Sequence, residues 1–329
     1  MRHRIVQIVR SMLVQARLTF LLHRFTLVSV SAMLILAWAA AFFVAFRLHA
    51  LGVTAECLDA WPRVGPGAPS AACQASANEF RSIDGAWAAP LLGALGGVAP
   101  LAGLLAGAAL VARELEDGTA PVAWSLSPSR LRWLAGRVAP VAMLLLVLSA
   151  VASVAATELA GARYPGLDPS LSFYNGSSHG LTPVAAGMLV FASAVFAGSV
   201  LGRVLPALIV GAVVGLFLVA GVFFSENMWF PDQAIVVDAR VGNEYRGAYG
   251  LDQVVQLSSG EFRSLMDFNL DFDAQGNVTG LPAGAAFVDR LIPGTRHPFI
   301  DAVEATAMAA MAAFLLAATA LVVRRRRPY

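Results

Sequence analysis

The chain contains no lysine, and all 23 of its Lys/Arg positions are arginine. A P-loop needs a lysine to reach the β- and γ-phosphates of a nucleotide, so a standard Walker A motif is excluded. If ATP drives this protein, another subunit hydrolyses it. There are only two cysteines, Cys57 and Cys73, too few for a disulfide scaffold or a zinc site with four Cys ligands. Charge is sparse too: 13% of the 329 residues are charged and 58% are hydrophobic. A soluble domain of this length carries roughly 25% charged residues. Together with a mean hydropathy of +0.69, the shortfall implies that much of the surface faces lipid.

Catalytic signatures are missing as well. The five histidines, His3, His23, His49, His179 and His297, are scattered and form no His-Glu-x-x-His pair. No Cys-x-x-Cys occurs, and no membrane protease or hydrolase site is expected. Asp271-Phe272-Asp273-Ala274-Gln275-Gly276-Asn277 resembles the start of a calcium loop, but Pro282 stands where its bidentate glutamate belongs, and calcium is rejected. No metal, cofactor or nucleic acid is expected to bind.

What is present is a set of long apolar runs. A helix needs about 20 consecutive apolar residues to cross a bilayer core, and six stretches supply them: Phe25–Phe46, Ala86–Ala112, Val138–Thr157, Leu181–Leu201, Val204–Phe224 and Ala302–Val323. The expected fold is an all-α integral membrane protein of six transmembrane helices. An amphipathic interfacial helix precedes them over residues 1–24, and a small extracellular α+β cap over 225–300 precedes the last span. Within that cap, Ala234–Val241 and Asp252–Leu257 read as strands and Gly260–Leu270 as a short helix. Four Gly-x-x-x-Gly pairs, Gly93/Gly97, Gly103/Gly107, Gly198/Gly202 and Gly211/Gly215, signal close helix packing inside the membrane.

Arginine placement sets the orientation. With the N-terminus inside, 14 of the 23 arginines flank cytosolic span ends, the Arg324–Arg327 run among them, and only Glu114, Glu116 and Asp117 of the 21 acids join them. Both termini are therefore expected in the cytosol, and the protein in the plasma membrane. Arg10, Arg17 and Arg24 recur every seven residues, which holds them on one helical face, with Ile5, Ile8, Val9, Met12, Leu13, Phe20 and Leu21 lying away from that stripe. That pattern suits a helix lying among anionic headgroups. The first outer loop, 48–85, holds Cys57 and Cys73, and a bond between them is plausible on the oxidising side of a membrane; the alternative is two unpaired thiols. The span cores carry almost no charge, which argues against an ion-coupled transporter. Glu304, one turn inside the sixth span, either snorkels to the interface or makes a polar contact with another helix or with substrate.

The segment 113–137 between the second and third spans gathers all the cytosolic acids into one turn, with Trp124, Trp133 and a short helix over 129–136. Arg113, Glu114, Glu116, Asp117, Gly118 and Thr119 open it, and Arg130 and Trp133 follow. The run Ala112-Arg113-Glu114-Leu115-Glu116-Asp117-Gly118-Thr119, then Ala123-Trp124-Ser125 and Ser129-Arg130-Leu131-Arg132-Trp133-Leu134, resembles the permease subunits of type-2 ABC exporters, most closely their actinobacterial branch. Pro293-Gly294-Thr295-Arg296-His297-Pro298-Phe299, Glu304 and the final arginines are similar to that branch's closing segment. The tryptophans and glutamine usual there are missing, and the basic N-terminal arm departs from the branch's opening. The resemblance implies a non-catalytic subunit, paired with a second permease copy or paralogue. It also implies a cytosolic ABC ATPase that carries the ATP and Mg and grips segment 113–137 as a coupling helix. An apolar passage between the two halves would suit an amphiphilic or hydrophobic cargo. A reading from another class is a membrane-anchored sensor or assembly protein with a ligand-binding cap and no transport.

Overall fold

The computed structural model describes residues 19–60, 69–238, 245–268, 271–272 and 278–326. Among them, six helices are long and apolar enough to cross a membrane. They are α1 (Arg24–Ala50), α4 (Ala89–Glu116), α6 (Arg130–Arg163), α7 (Thr182–Leu201), α8 (Val204–Trp229) and α9 (His297–Arg325). Three shorter helices connect them: α2 (Ala55–Ala60), α3 (Ala71–Ile83) and α5 (Ala120–Ser125). The helices run between two ends of different character. The arginine end carries Arg113, Arg130 and Arg137 and the last turn of α9, and the sheet end carries the strands.

Two spans are longer than their apolar windows. The Ser70 hydroxyl caps α3 by accepting from the Cys73 N–H at 3.2 Å. α3 then runs through a π-turn at Asp84–Ala88 straight into α4, so the second span begins well before Ala86. Its polar residues, Gln74, Glu79 and Arg81, are exposed, while Ala77 and Phe80 are buried, which is the pattern of a surface helix. α6 likewise starts at Arg130, capped by the Ser129 hydroxyl accepting from Arg132 N–H at 3.2 Å. The short helix expected over 129–136 is therefore the beginning of the third span, and the separate short helix is α5. The sulfurs of Cys57 and Cys73 are bonded, tying α2 to α3 with Cα atoms 5.9 Å apart.

α7 is the central helix, packed by α4, α8 and α9, while α1 lies against α6 and α4. Lipid tails are as apolar as the side chains, so close backbone approach has to hold such helices together. The glycines supply it. A Cβ on Gly103 would stand 2.3 Å from the Gly187 carbonyl oxygen, one on Gly107 2.6 Å from the Phe191 oxygen, and one on Gly211 2.7 Å from the Ala194 Cα. Gly93 and Gly97 meet nothing within 4 Å. Gly202 takes a left-handed conformation (φ +67°) and closes α7 before α8 turns back.

At the sheet end, β1 (Ile235–Asp238), β2 (Tyr249–Gln256), β3 (Phe262–Ser264) and β6 (Ala286–Ile292) form one antiparallel sheet in the order β1-β6-β2-β3. β4 (Asp271–Phe272) and β5 (Val278–Thr279) pair separately. Where Gly260–Leu270 reads as a helix from sequence, the described residues instead form β3 and a 3-10 turn, Leu265–Asp267. Gly260, at φ +86°, makes the hairpin that pairs Phe262 with Gln256. No α-helix occurs among the described residues between α8 and α9. β6 leads through the turn Gly294–Arg296 into α9, and Phe230, Ile292 and Ile300 pack beneath it.

Candidate functional site

The turn that ends α4 at the arginine end is built by Gly118. At φ +69° it lets its own N–H reach the Leu115 carbonyl at 3.3 Å and the Thr119 N–H reach the Glu114 carbonyl at 3.0 Å. This is a Schellman closure, satisfying carbonyls that the helix end leaves open. The Thr119 hydroxyl donates to the same Glu114 carbonyl at 3.2 Å. α5 follows, and then α6 returns.

Sequence reasoning groups Glu114, Glu116 and Asp117 as one exposed acidic turn, and the structure separates them. Glu114 is buried, 8% exposed. Its Oε1 lies 2.9 Å from Arg137 Nε, and its Oε2 accepts from Trp133 Nε1 at 3.2 Å. Glu116 accepts from the Val204 N–H at 2.9 Å, placing a carboxylate at the N-terminus of α8, where the helix dipole favours it. Asp117 is exposed and faces Arg113, one turn back, at 3.8 Å. One helical turn carries three acids pointing in different directions, and a buried carboxylate at the end of a span is costly without a partner. Arg137, which sequence reasoning did not single out, supplies it from the start of the neighbouring span. Opposite charges at the adjoining ends of consecutive apolar runs were the available signal.

Around that pair the contacts are dense. Arg137 Nη1 donates to the Thr19 hydroxyl at 3.2 Å, and that hydroxyl donates to the Gly136 carbonyl at 3.3 Å. Trp124 and Trp133 meet edge to face at 5.8 Å, and Arg130 lies 4.7 Å over the Trp124 ring. Arg130 Nη1 also reaches the carbonyls of Arg324 and Arg326, joining α6 to the end of α9. A groove of about 640 Å³ opens beside them, lined by the exposed Leu22, Val122 and Leu126 and the buried His23, Trp133 and Arg137. Burial, then the guanidiniums of Arg137 and Arg113, pull the His23 imidazole from its ordinary 6.5 down to about 4, so the ring is neutral near pH 7. On α5, Val122 and Leu126 are 62% and 82% exposed. Arg24 lies over the Phe25 ring at 4.9 Å, while Arg10 and Arg17 fall outside the described residues.

At the sheet end, Glu304 is buried, with the Thr182 hydroxyl donating to its Oε2 at 3.3 Å across the α7–α9 contact. Asp301, one turn earlier, caps α7. It accepts from Leu181 N–H at 2.8 Å, from Thr182 N–H at 2.9 Å and from the Thr182 hydroxyl at 2.6 Å. His179 and His297 lie 5.5 Å apart, ring to ring. Burial holds the His179 imidazole below its ordinary value, against the pull of the Tyr174 carbonyl it contacts. Among the described residues no group of three or more His, Cys, Asp or Glu side chains gathers to hold a metal.

A family model described as ABC-2 membrane transporter related matches residues 27–227, from α1 to the end of α8. No curated protein and no solved structure matches the chain.

Proposed function

The chain belongs to the family described as ABC-2 membrane transporter related, and from that premise we propose that it is the permease subunit of an ATP-driven exporter. Both termini lie in the cytosol of a bacterial, actinobacterial-type cell, and the sheet lies outside. The partners are a cytosolic ABC ATPase, which holds ATP and Mg, and a second permease copy or paralogue. α5 is the element that the ATPase grips. Closure of the nucleotide-bound ATPase pair would move α5, and the spans would then open a passage outwards for an amphiphilic or hydrophobic small molecule.

One observation carries this reading. The six-residue helix α5 rests on α6 through Trp124 between a Schellman turn and a capped helix start, and Val122 on it and Leu126 just after it present two apolar side chains beside Arg113 and Asp117. A solvated turn gains nothing from exposing Val122 and Leu126, whereas an apolar anchor ringed by charge is the usual make-up of a docking centre. The buried Glu114 supports α5 from beneath and is not itself a contact.

The test is to co-express the chain with a candidate ABC ATPase from the same genome and to measure co-purification and ATP hydrolysis in lipid nanodiscs. Leu126→Asp and Val122→Asp should each weaken co-purification about tenfold, the loss of one apolar anchor, with the size-exclusion profile unchanged. Full ATPase binding and full transport in the double variant would reject α5 as the grip. Solute movement at full rate in liposomes without nucleotide would reject the exporter reading altogether.

A further inference from the structure

Two cavities of opposite character meet at Glu304. The first, about 430 Å³ at the sheet end, is walled by Phe173, Phe223, Tyr249 and His297 and holds the carboxyl groups of Asp301 and Glu304. The second is a groove of about 330 Å³ between α8 and α9, lined by Phe217, Leu218, Phe230 and Met311, with Glu304 its only charged residue among the described ones. Among the described residues no arginine lines either cavity. Phe217 is 79% exposed at the groove's outer edge, so the groove is open on the side that faces the bilayer.

The two acids do different work. Asp301 takes three donors from the start of α7, and the positive end of that helix offsets its charge. Glu304 sits one turn deeper, 6% exposed, with the Thr182 hydroxyl at its Oε2, at the point where the polar cavity gives way to the apolar groove. A carboxylate at that depth favours a cation beside it, and the aromatic faces around the first cavity add to the attraction. An anion there would meet two carboxyl groups, with His297 the one basic side chain among the described wall residues.

We propose that the two cavities form one binding site for a cationic amphiphile, with the cationic head beside Glu304 and the aromatic walls and the apolar part along the α8–α9 groove. This deepens the exporter reading by naming a cargo class, and it rests on that reading only for the word cargo.

The site is tested by binding, with no ATPase present, so its failure and the failure of the docking reading are separate results. The probe is a dodecyl chain with a dansyl reporter and a trimethylammonium head, compared with the same chain carrying a hydroxyl head. The protein sits in phosphatidylcholine nanodiscs, and unlabelled dodecyltrimethylammonium competes. The cationic probe should bind at least about tenfold more tightly than the neutral one. Glu304→Gln should abolish most of that preference while leaving neutral-probe affinity nearly unchanged. Ala307→Trp, on the groove wall, should weaken both probes. Equal affinity for the two heads in the unaltered protein, a preference that survives Glu304→Gln, or no effect of Ala307→Trp would each overturn the proposal. If Glu304→Gln fails to fold, the head-group comparison and Ala307→Trp still decide.

Discussion

Removing Glu114 should damage the fold before it damages any docking. Its carboxylate and the Arg137 guanidinium are both 8% exposed and meet at 2.9 Å. Glu114→Ala leaves that guanidinium buried with only the Thr19 hydroxyl near it and leaves Trp133 Nε1 without its acceptor. Deleting one member of a buried ion pair costs about 3–5 kcal/mol. Glu114→Gln keeps an acceptor for Trp133 and should cost less, roughly 2–3 kcal/mol. Replacing both members, Glu114→Leu with Arg137→Met, removes the stranded charge and should return to within ~1–2 kcal/mol of the starting protein. The thermodynamic cycle then shows a coupling above about 2 kcal/mol. As a contrast, Asp117→Ala breaks an exposed pair at 3.8 Å and should shift stability by under about 0.5 kcal/mol. Equilibrium unfolding in mixed micelles titrated with sodium dodecyl sulfate, followed by tryptophan fluorescence, reads these variants and the single Glu114→Leu and Arg137→Met that close the cycle; Trp124 and Trp133 sit at the site. The reasoning is refuted if Glu114→Ala lands within 1 kcal/mol (roughly the cost of an exposed pair) or if the two single costs simply add in the double variant.

The same unfolding assay separates the glycines: Gly103→Ala would force a Cβ to within 2.3 Å of the Gly187 oxygen and should cost about 1–3 kcal/mol. Gly93→Ala meets nothing within 4 Å and should be neutral or stabilising by up to about 1 kcal/mol. The Cys57–Cys73 bond closes a short loop worth about 3 kcal/mol of local order by chain entropy. Maleimide labelling of the unreduced protein should find no thiol, and Cys57→Ser should speed proteolysis between α1 and α3; two reactive thiols in the unreduced protein would contradict the bond. His23, held near 4 from 6.5 in the folded protein, stays neutral while the unfolded chain takes up a proton. Stability should therefore be full above pH 6.5, fall as pH drops from 6.5 towards 4, and fall less in His23→Gln. A flat profile across that window in both proteins would contradict the buried neutral ring.

The middles of the six spans are legible in sequence because lipid imposes one rule on every residue there, and a run of apolar side chains meets it. Their ends are not. α3 and the first turns of α6 are helical through caps from Ser70 and Ser129 and through amphipathic faces, which a search for apolar windows passes over. Sequence spacing also makes Gly93/Gly97 and Gly103/Gly107 equivalent, yet only the second pair lies against α7, because facing depends on tertiary contact. The Gly260–Leu270 segment has helix-compatible spacing, but its neighbours offer a strand partner, and pairing with β2 decides. At the arginine end the sequence places the acids in the right turn. Their division of labour was hidden, since Glu116 serves a helix that begins 88 positions later and Glu114 serves a neighbouring span.

That division bears on how the two ends could act together. α7 is held along its whole length: by Asp301 at its start, by Gly103 and Gly107 of α4 and Gly211 of α8 along its sides, and by Arg326 donating to the Ser199 carbonyl at 2.5 Å near its end. α4 lies against it without room for a methyl group and carries α5 on its last turn. Close-packed interiors transmit displacement rather than absorb it, so a pull on α5 reaches α7 through α4 before any loop can relax. Asp301 then ties α7 to α9 beside Glu304. By contrast, α8 has only 17% of its apolar window buried, and it packs on α7 and α4 more than on α9. A motion that starts at the Gly118 turn would thus reach the α8–α9 groove through α7, which packs on both its walls, and would change the groove where α8 and α9 touch each other least. The packing would then make a groove beside Glu304 the part of this bundle that opens and closes most readily.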